Sequence, residues 1–318
     1  MSFQQATEEE IEVEVSEEPK EEKATDFEKW IMQCCKAPEW ELRKYLRKVL
    51  TRAGFEIFED GYRSDRCDKD KRYETVHNML AVRGNTPRVC LVAHTDICRD
   101  HEELRSDSKY SGSEYAFWMY DRHEIPSDAP KVSRKVEPTL KLVEHEGEIH
   151  RIIQDKECRL QVGGDDRLGV AINTYIALNT GFDMGLYFPT DEEIGLKSAR
   201  VCEMQRLKEF DLLCQVDRGN KSDELVIKIS NEMLASYDMA CRLLDIAYTI
   251  NLPRAPVTGM STDVYALKSK GMCKQAVNMT CGYHQSFGAN STEYIDVNEA
   301  RNTMKYVAAI IKDFYLEQ

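Results

Sequence analysis

The sequence predicts an α/β fold, a mostly parallel central sheet flanked by helices, on three observations. Stretches with helical apolar spacing alternate with short strand-like runs. One run, Val89-Cys90-Leu91-Val92-Ala93, is apolar throughout, as a strand covered on both faces requires. Turns bearing acids or histidines follow several of these runs, and in parallel sheets reactive groups gather beyond the carboxyl ends of the strands.

In chain order, a helix is expected over 38–53, where Leu42, Tyr45, Leu46, Val49 and Leu50 recur at helical spacing and Gly54 ends it. Strands are expected at 55–58, 76–82 and 88–94. Residues 99–139 read as an insertion, polar but carrying Tyr110, Tyr115, Phe117, Trp118 and Tyr120. Strands resume near 140–143 and 149–153. A helix then follows Asp166 to about Thr180, with a strand at 184–188, a helix after Gly195, and strands at 210–216 and 225–229. A long helix at 231–250, a strand at 274–279 and a last helix from Asp296 complete the pattern. Asp296-Val297-Asn298-Glu299 has the form of a reciprocal helix cap.

The 318 residues, 42% of them apolar, suffice for one large domain, expected over 25–318. Residues 1–24 hold nine Glu and two Lys and read as a disordered acidic tail. No run of about 18 apolar residues marks a membrane span, and the acidic start lacks the form of a signal peptide. A cytoplasmic protein is expected. Eleven cysteines, an odd number at irregular spacing with no Cys-x-x-Cys pair, read as reduced thiols. A net charge of −13 argues against a nucleic-acid partner.

Five motifs stand at element ends: His94-Thr95-Asp96, Gly163-Gly164-Asp165-Asp166-Arg167, Asp191-Glu192-Glu193-Ile194-Gly195, Asp217-Arg218-Gly219 and Gly282-Tyr283-His284. Each alone has an ordinary explanation as a helix cap, a solvated loop or a packed histidine. Together they place imidazoles and carboxylates where one site would form. Such donors suit zinc, cobalt or manganese, and five of them exceed one tetrahedral ion.

In these motifs, and over about residues 75–318, the sequence resembles the co-catalytic zinc exopeptidases. That group includes peptidase T, related dipeptidases and carboxypeptidases, and the deblocking and glutamyl aminopeptidases. The resemblance implies two divalent metal ions and a small peptide substrate. It implies that His94 and Asp217 hold one ion, that Glu193 and His284 hold the other, and that Asp165 bridges them. Asp96 would accept the second ring proton of His94, and Glu192 would be the general base. The Asp165–Asp166 peptide would be cis. The interval between Asp217 and His284 is too short for the lid or dimerisation domain of some relatives, so one catalytic domain is expected. The histidine that such a lid supplies to stabilise an oxyanion would need a substitute, for which Tyr283 is a candidate.

The Asp-Asp-Arg form and Ser261-Thr262-Asp263 lean toward the glutamyl and deblocking branch, and the spacing from His94 to Asp165 toward peptidase T. A deacylase of N-acyl amino acids at the same centre would carry the same ligands; a non-catalytic binding protein on this fold is a further alternative, but it would usually have lost at least one of the ligands or the base, and all are present. Segment 110–120 could cover the cleft, and Arg218 could meet a substrate carboxylate or pair with a structural acid. His77, His101, His123, His145 and His150 lack the strand-end setting and receive no catalytic role.

Overall fold

The computed structural model describes residues 23–64, 76–97, 136–145, 147–156, 161–285 and 293–316. Most of the acidic tail, most of the insertion with its aromatic segment, and His101 and His123 lie outside the described residues.

The chain opens with α1 (Asp26–Lys36) and α2 (Glu39–Arg52), then β1 (Glu56–Glu59), β2 (Met79–Arg83) and β3 (Val89–Val92). A hairpin follows, β4 (Pro138–His145) and β5 (Glu148–Asp155). A tight turn, Gly164–Leu168, leads into α3 (Gly169–Asn179), β6 (Met184–Phe188) and α4 (Lys197–Val201). Next come β7 (Leu212–Arg218), β8 (Glu224–Ile229), β9 (Glu232–Met233), α5 (Tyr237–Thr249), β10 (Ala255–Gly259), α6 (Asp263–Ser269) and β11 (Ala276–Thr280). The chain closes with β12 (Tyr283–Gln285), β13 (Glu293–Asp296) and α7 (Val297–Leu316).

The main sheet has the order β1-β2-β6-β3-β7-β11-β8-β10, with β9 beside β8. Its central strands β6, β3, β7 and β11 run parallel to their neighbours in that series. Antiparallel pairs lie to either side, β1 with β2 and β2 with β6, and β8 with β11 and β9. Successive side chains alternate across the sheet. Val89 and Leu91 therefore join one buried cluster with α1, α2, α3, α5 and α7, while Cys90 and Val92 join the other with α4 and α6. Both faces are covered, which is why the 89–93 run is apolar throughout. A smaller antiparallel sheet, β12-β13-β5-β4, packs beside it.

Most of the expected elements fall where the sequence places them, but several differ, among them β10, α6 and β13, which it does not anticipate. The helix α1 was not anticipated. Its signal was Thr25-x-x-Glu28, a cap in which the Glu28 N–H meets the Thr25 hydroxyl at 3.4 Å and the Thr25 N–H meets Glu28 Oε2 at 2.7 Å. The expected helix 231–250 begins only at Tyr237, because the Ser236 hydroxyl caps it and the residues before it form β9. At α7 the cap is one-sided. Asp296 Oδ1 accepts from the N–H groups of Asn298 and Glu299, but the Asp296 N–H donates to the Gly282 carbonyl and the Glu299 side chain turns to His284.

The elements between Asp217 and His284 belong to the main sheet or pack on it as helices. The cysteines among the described residues are free thiols, most of them buried. No helix among the described residues is long and apolar enough to cross a membrane.

Candidate metal centre

The side-by-side order β6-β3-β7-β11 brings three segments that carry predicted ligands together at one end of the sheet. His94 follows β3, Glu192 and Glu193 follow β6, and Asp217 lies in the last turn of β7. The β3–β6 ladder continues past both strands, through the Thr95 N–H to the Pro189 carbonyl at 3.1 Å, so the two loops leave the sheet in register.

His94 is the centre of the cluster. Its ring is fully buried. Nδ1 lies 2.9 Å from the Asp96 backbone carbonyl and 3.4 Å from the Asp96 carboxylate. Nε2 points the other way, 3.0 Å from Asp165 Oδ1 and 3.5 Å from Asp217 Oδ1. Donor atoms of His94, Asp165 and Glu193 all lie within 4.8 Å of one another, as do those of His94, Asp166 and Asp217. Burial alone would lower the pKa of the His94 imidazole, but its partners Asp165, Asp217 and Asp96 outweigh it and raise the pKa well above the usual histidine range. Burial pushes the Asp217 carboxyl up to about 7, with the Asp165 charge adding to the effect. Glu192 is likewise raised well above the carboxylate range, first by burial and then, against His94, by Asp263, Asp217 and Asp165. A crowd of acids around one imidazole is a setting that a divalent cation relieves, because it supplies the missing positive charge. Nitrogen and oxygen donors at these separations fit such an ion.

The positions of the donors are fixed by groups around them. The Asp96 carboxylate accepts the backbone N–H groups of Glu192 and Glu193, each at 3.2 Å. Asp96 therefore grips the β6 loop more than the His94 ring, whose nearest Asp96 acceptor is the main-chain carbonyl. Asp191 holds a left-handed conformation, φ 55°, and its buried carboxylate accepts from Tyr62 at 2.5 Å and from Ser64. Asp166 Oδ2 takes the His94 N–H at 3.1 Å and Oδ1 takes the Gly169 N–H. Asp166 thus anchors the chain at His94 with oxygens already in use. The Asp165–Asp166 peptide is cis. Gln215 donates to Asp217 Oδ2 at 2.8 Å and to Asp263 at 3.2 Å, leaving Asp217 Oδ1 toward His94.

Three groups at the site went unnoticed in the sequence. Glu293 accepts the N–H groups of Gly163 and Gly164 at 2.6 and 2.8 Å and that of Asp165 at 3.3 Å, so one buried carboxylate shapes the turn that presents Asp165. On α2, the buried Glu39 and Arg43 reach the ends of β3 and β6. Glu39 accepts from the hydroxyls of Thr95 and Thr190 at 2.8 and 2.6 Å, and Arg43 donates to Thr95 and to the Phe188 carbonyl. A buried Glu and Arg one helical turn apart were the readable signal, hidden inside an ordinary amphipathic pattern.

His284 stands elsewhere. Its Nε2 lies 2.8 Å from Glu299 Oε2, and its ring stacks on Tyr294 with centroids 5.1 Å apart. It belongs to neither donor group. Its neighbour Tyr283 faces the centre and donates to Asp165 Oδ2 at 3.0 Å. Arg218 pairs with Glu224 at 2.6 Å. Of the remaining histidines, His77 lies 3.8 Å from Glu59 and His150 lies 2.9 Å from Asp296.

No family model matches the sequence, and no curated protein matches it. Solved structures do. The aminopeptidase PepT from Bacillus cereus ATCC 10987 aligns with a TM-score of 0.60 at 13% identity, over 90% of this chain and 97% of that one. A tripeptidase from Staphylococcus aureus subsp. aureus mu50 aligns with a TM-score of 0.60 at 11% identity, over 92% of this chain and 98% of that one. A TET aminopeptidase from the marine sediment archaeon Thaumarchaeota archaeon SCGC AB-539-E09 aligns with a TM-score of 0.59 at 13% identity, over 92% and 98%. At such identities the likeness is one of architecture, with the mostly parallel sheet and flanking helices in common. The chain shares its fold with these solved aminopeptidases and the tripeptidase.

Proposed function

We propose that the protein is a metal-dependent exopeptidase that hydrolyses small peptides. The observation that carries this reading is the convergence on His94 of Asp165 and Glu193 in one donor group and of Asp217 in another, with the half-buried Glu192 set beside them by Asp96. The fold shared with solved aminopeptidases and a tripeptidase supports it. Zinc suits the mixed nitrogen and oxygen donors, and cobalt and manganese suit them too. Two ions sharing Asp165 would use all five predicted ligands only if His284 left Glu299.

When bound, a divalent cation supplies Lewis acidity, which activates water and polarises the scissile carbonyl. The chain's own residues supply the rest. Glu192, whose burial favours its protonated form, takes the proton of the attacking water and hands it to the leaving amine. Asp96 aims Glu192 by its main chain. Asp166 and Gln215 keep His94 and Asp217 from turning away. The free thiols of the core suit a reducing cytoplasm, and the charge of −13 does not favour nucleic acid.

The test is cleavage of a panel of free and N-acylated di- and tripeptides by the purified chain, with and without a chelator. Chelator-sensitive release of amino acids from free peptides is expected. Cleavage of the acylated members alone would make the protein a deacylase, and cleavage indifferent to chelation would remove the metal from the mechanism.

A further inference from the structure

Beyond the bond from the Thr95 N–H to the Pro189 carbonyl, the two loops that carry His94 and Glu192 meet again at one oxygen. Glu39 Oε1, on the first turn of α2, accepts the Thr95 hydroxyl at 2.8 Å and the Thr190 hydroxyl at 2.6 Å. A hydroxyl has one proton to give, and the shorter contact of Thr95 is this one, against 3.3 Å to the Pro189 carbonyl. Arg43, one turn along α2, donates from Nη1 to the Thr95 oxygen at 2.6 Å and to the Phe188 carbonyl at 3.2 Å. All four side chains are buried.

Packing alone does not ask for these groups. α2 already buries Leu42, Leu46 and Leu50 in the main core, and a carboxylate and a guanidinium are costly to take out of water. Their use is at the loops. Thr95 stands between His94 and Asp96, and Thr190 stands two residues before Glu192. The Asp96 carboxylate takes the Glu192 and Glu193 N–H groups. Segment 190–193 is therefore pinned to segment 95–96 at two points, at Thr190 through Glu39 and at the next loop's N–H groups through Asp96. One pin would leave a pivot, whereas two set both distance and direction. Between the pins Asp191 holds a left-handed backbone, φ 55°, which a residue with a side chain keeps only where its surroundings impose it.

We propose that Glu39 is a positioning residue of the candidate centre, whose carboxylate sets the spacing between the loop that carries His94 and the loop that carries Glu192 and Glu193. It acts through Thr95 and Thr190, not on the reacting atoms. The proposal rests on the metal-dependent reading above and adds to it a residue on α2. What counts is reach, one oxygen spanning two hydroxyls. Asp at this position keeps a charge near Arg43 but is one methylene too short to span both, and Gln keeps the reach without the charge.

The experiment compares Glu39→Asp, Glu39→Gln and Thr190→Val with wild type in the full chain. Zinc affinity is read by calorimetry on chelator-treated protein, and kcat and KM are read on the best-cleaved peptide. Thr174→Val is the control for a buried hydroxyl lost elsewhere, since Thr174 on α3 receives the Trp30 indole N–H at 2.9 Å. Glu39→Asp and Thr190→Val are expected to weaken zinc about tenfold, the lower end of what removing a group behind a ligand does, and to lower kcat with KM nearly unchanged. Glu39→Gln and Thr174→Val are expected to stay near wild type in both readouts. Equal losses in Thr174→Val would mean general loosening, and a Glu39→Gln as impaired as Glu39→Asp would mean charge; either overturns the proposal. If wild type binds zinc and cleaves peptides and Glu39→Asp and Thr190→Val match it, only the positioning role falls. If wild type does neither, the metal-dependent function falls with it.

Discussion

The Asp96 carboxylate holds Glu192 by its main chain, accepting that residue's N–H at 3.2 Å, and its second oxygen takes the next N–H along. Two loops that carry proposed ligands are joined by this one side chain. Replacing Asp96 by Asn swaps one acceptor for a donor and turns it toward an N–H. The chain should still fold, and zinc affinity should fall by about 10- to 100-fold. A zinc titration of Asp96→Asn against wild type checks it.

Glu192→Gln preserves shape and removes the proton acceptor. Peptide hydrolysis should drop by about a hundredfold to ten-thousandfold, the usual contribution of a positioned base. Zinc content should not change. Turnover of the best peptide from the panel, measured beside metal content, separates the two effects; equal activity in mutant and wild type would reject Glu192 as the base.

Gly164 has no room for a side chain, since the nearest atom to an added Cβ is Tyr283 Cβ, which cannot swing aside as a flexible tip would. Gly164→Ala should cost about 1–3 kcal/mol of stability, as overpacking usually does. The shift of the urea midpoint measures it.

Glu39 offers a contrast between two substitutions. Glu39→Ala leaves the Thr95 and Thr190 hydroxyls without their acceptor and the buried Arg43 without the nearby Glu39 charge, and should cost about 3–5 kcal/mol. Glu39→Gln keeps one oxygen for the hydroxyls and should cost less, about 1–3 kcal/mol. Denaturant unfolding of the pair would show the order, and equal losses would mean that the charge, and not the oxygen acceptor, carries the contribution there.

Acidity should act in opposite directions on the metal-free and metal-loaded protein. Burial, with Asp165 nearby, raises Asp217 from 3.8 to about 7, and burial raises Asp263 from 3.8 to about 8 and Glu293 from 4.5 to about 7. Groups whose folded pKa exceeds the unfolded one bind more protons when folded. Their stabilisation is complete below about pH 4 and is lost as pH climbs through 7 to 8. The metal-free chain should therefore melt at falling temperature across that window. Zinc competes with protons for the same carboxylates, so the rise in melting temperature on adding zinc should grow with pH. Melting curves from pH 5 to 8, with zinc or with chelator, test both slopes.

The motifs of the candidate centre were legible because each stands at the end of an element. His94, Glu193 and Asp217 come where an apolar run stops and Asp165 where a helix opens, and the structure gathers them about His94. What the sequence hid is orientation. Tyr283 and His284 are adjacent letters, and only pairing with β13 decides which one turns inward. Glu293, Glu39 and Arg43 were hidden for a different reason. Their partners are backbone amides and hydroxyls far along the chain, so no local spacing announces them. The helix α1 was readable from its Thr25–Glu28 cap, but the acidic stretch before it masked the change in character.

Three of the donors come from the loops after β3 and β6 and from the end of β7, strands that are neighbours in space but are separated in sequence by a hairpin and the helices α3 and α4. Contacts of such long range form late, because the chain entropy between them must be spent first. During refolding, collapse and helix growth can run ahead while the cation-binding cage is still open. Uptake of zinc would then serve as a clock for the final closure of the sheet, and a fragment ending before β7 should gather no zinc however well its helices form.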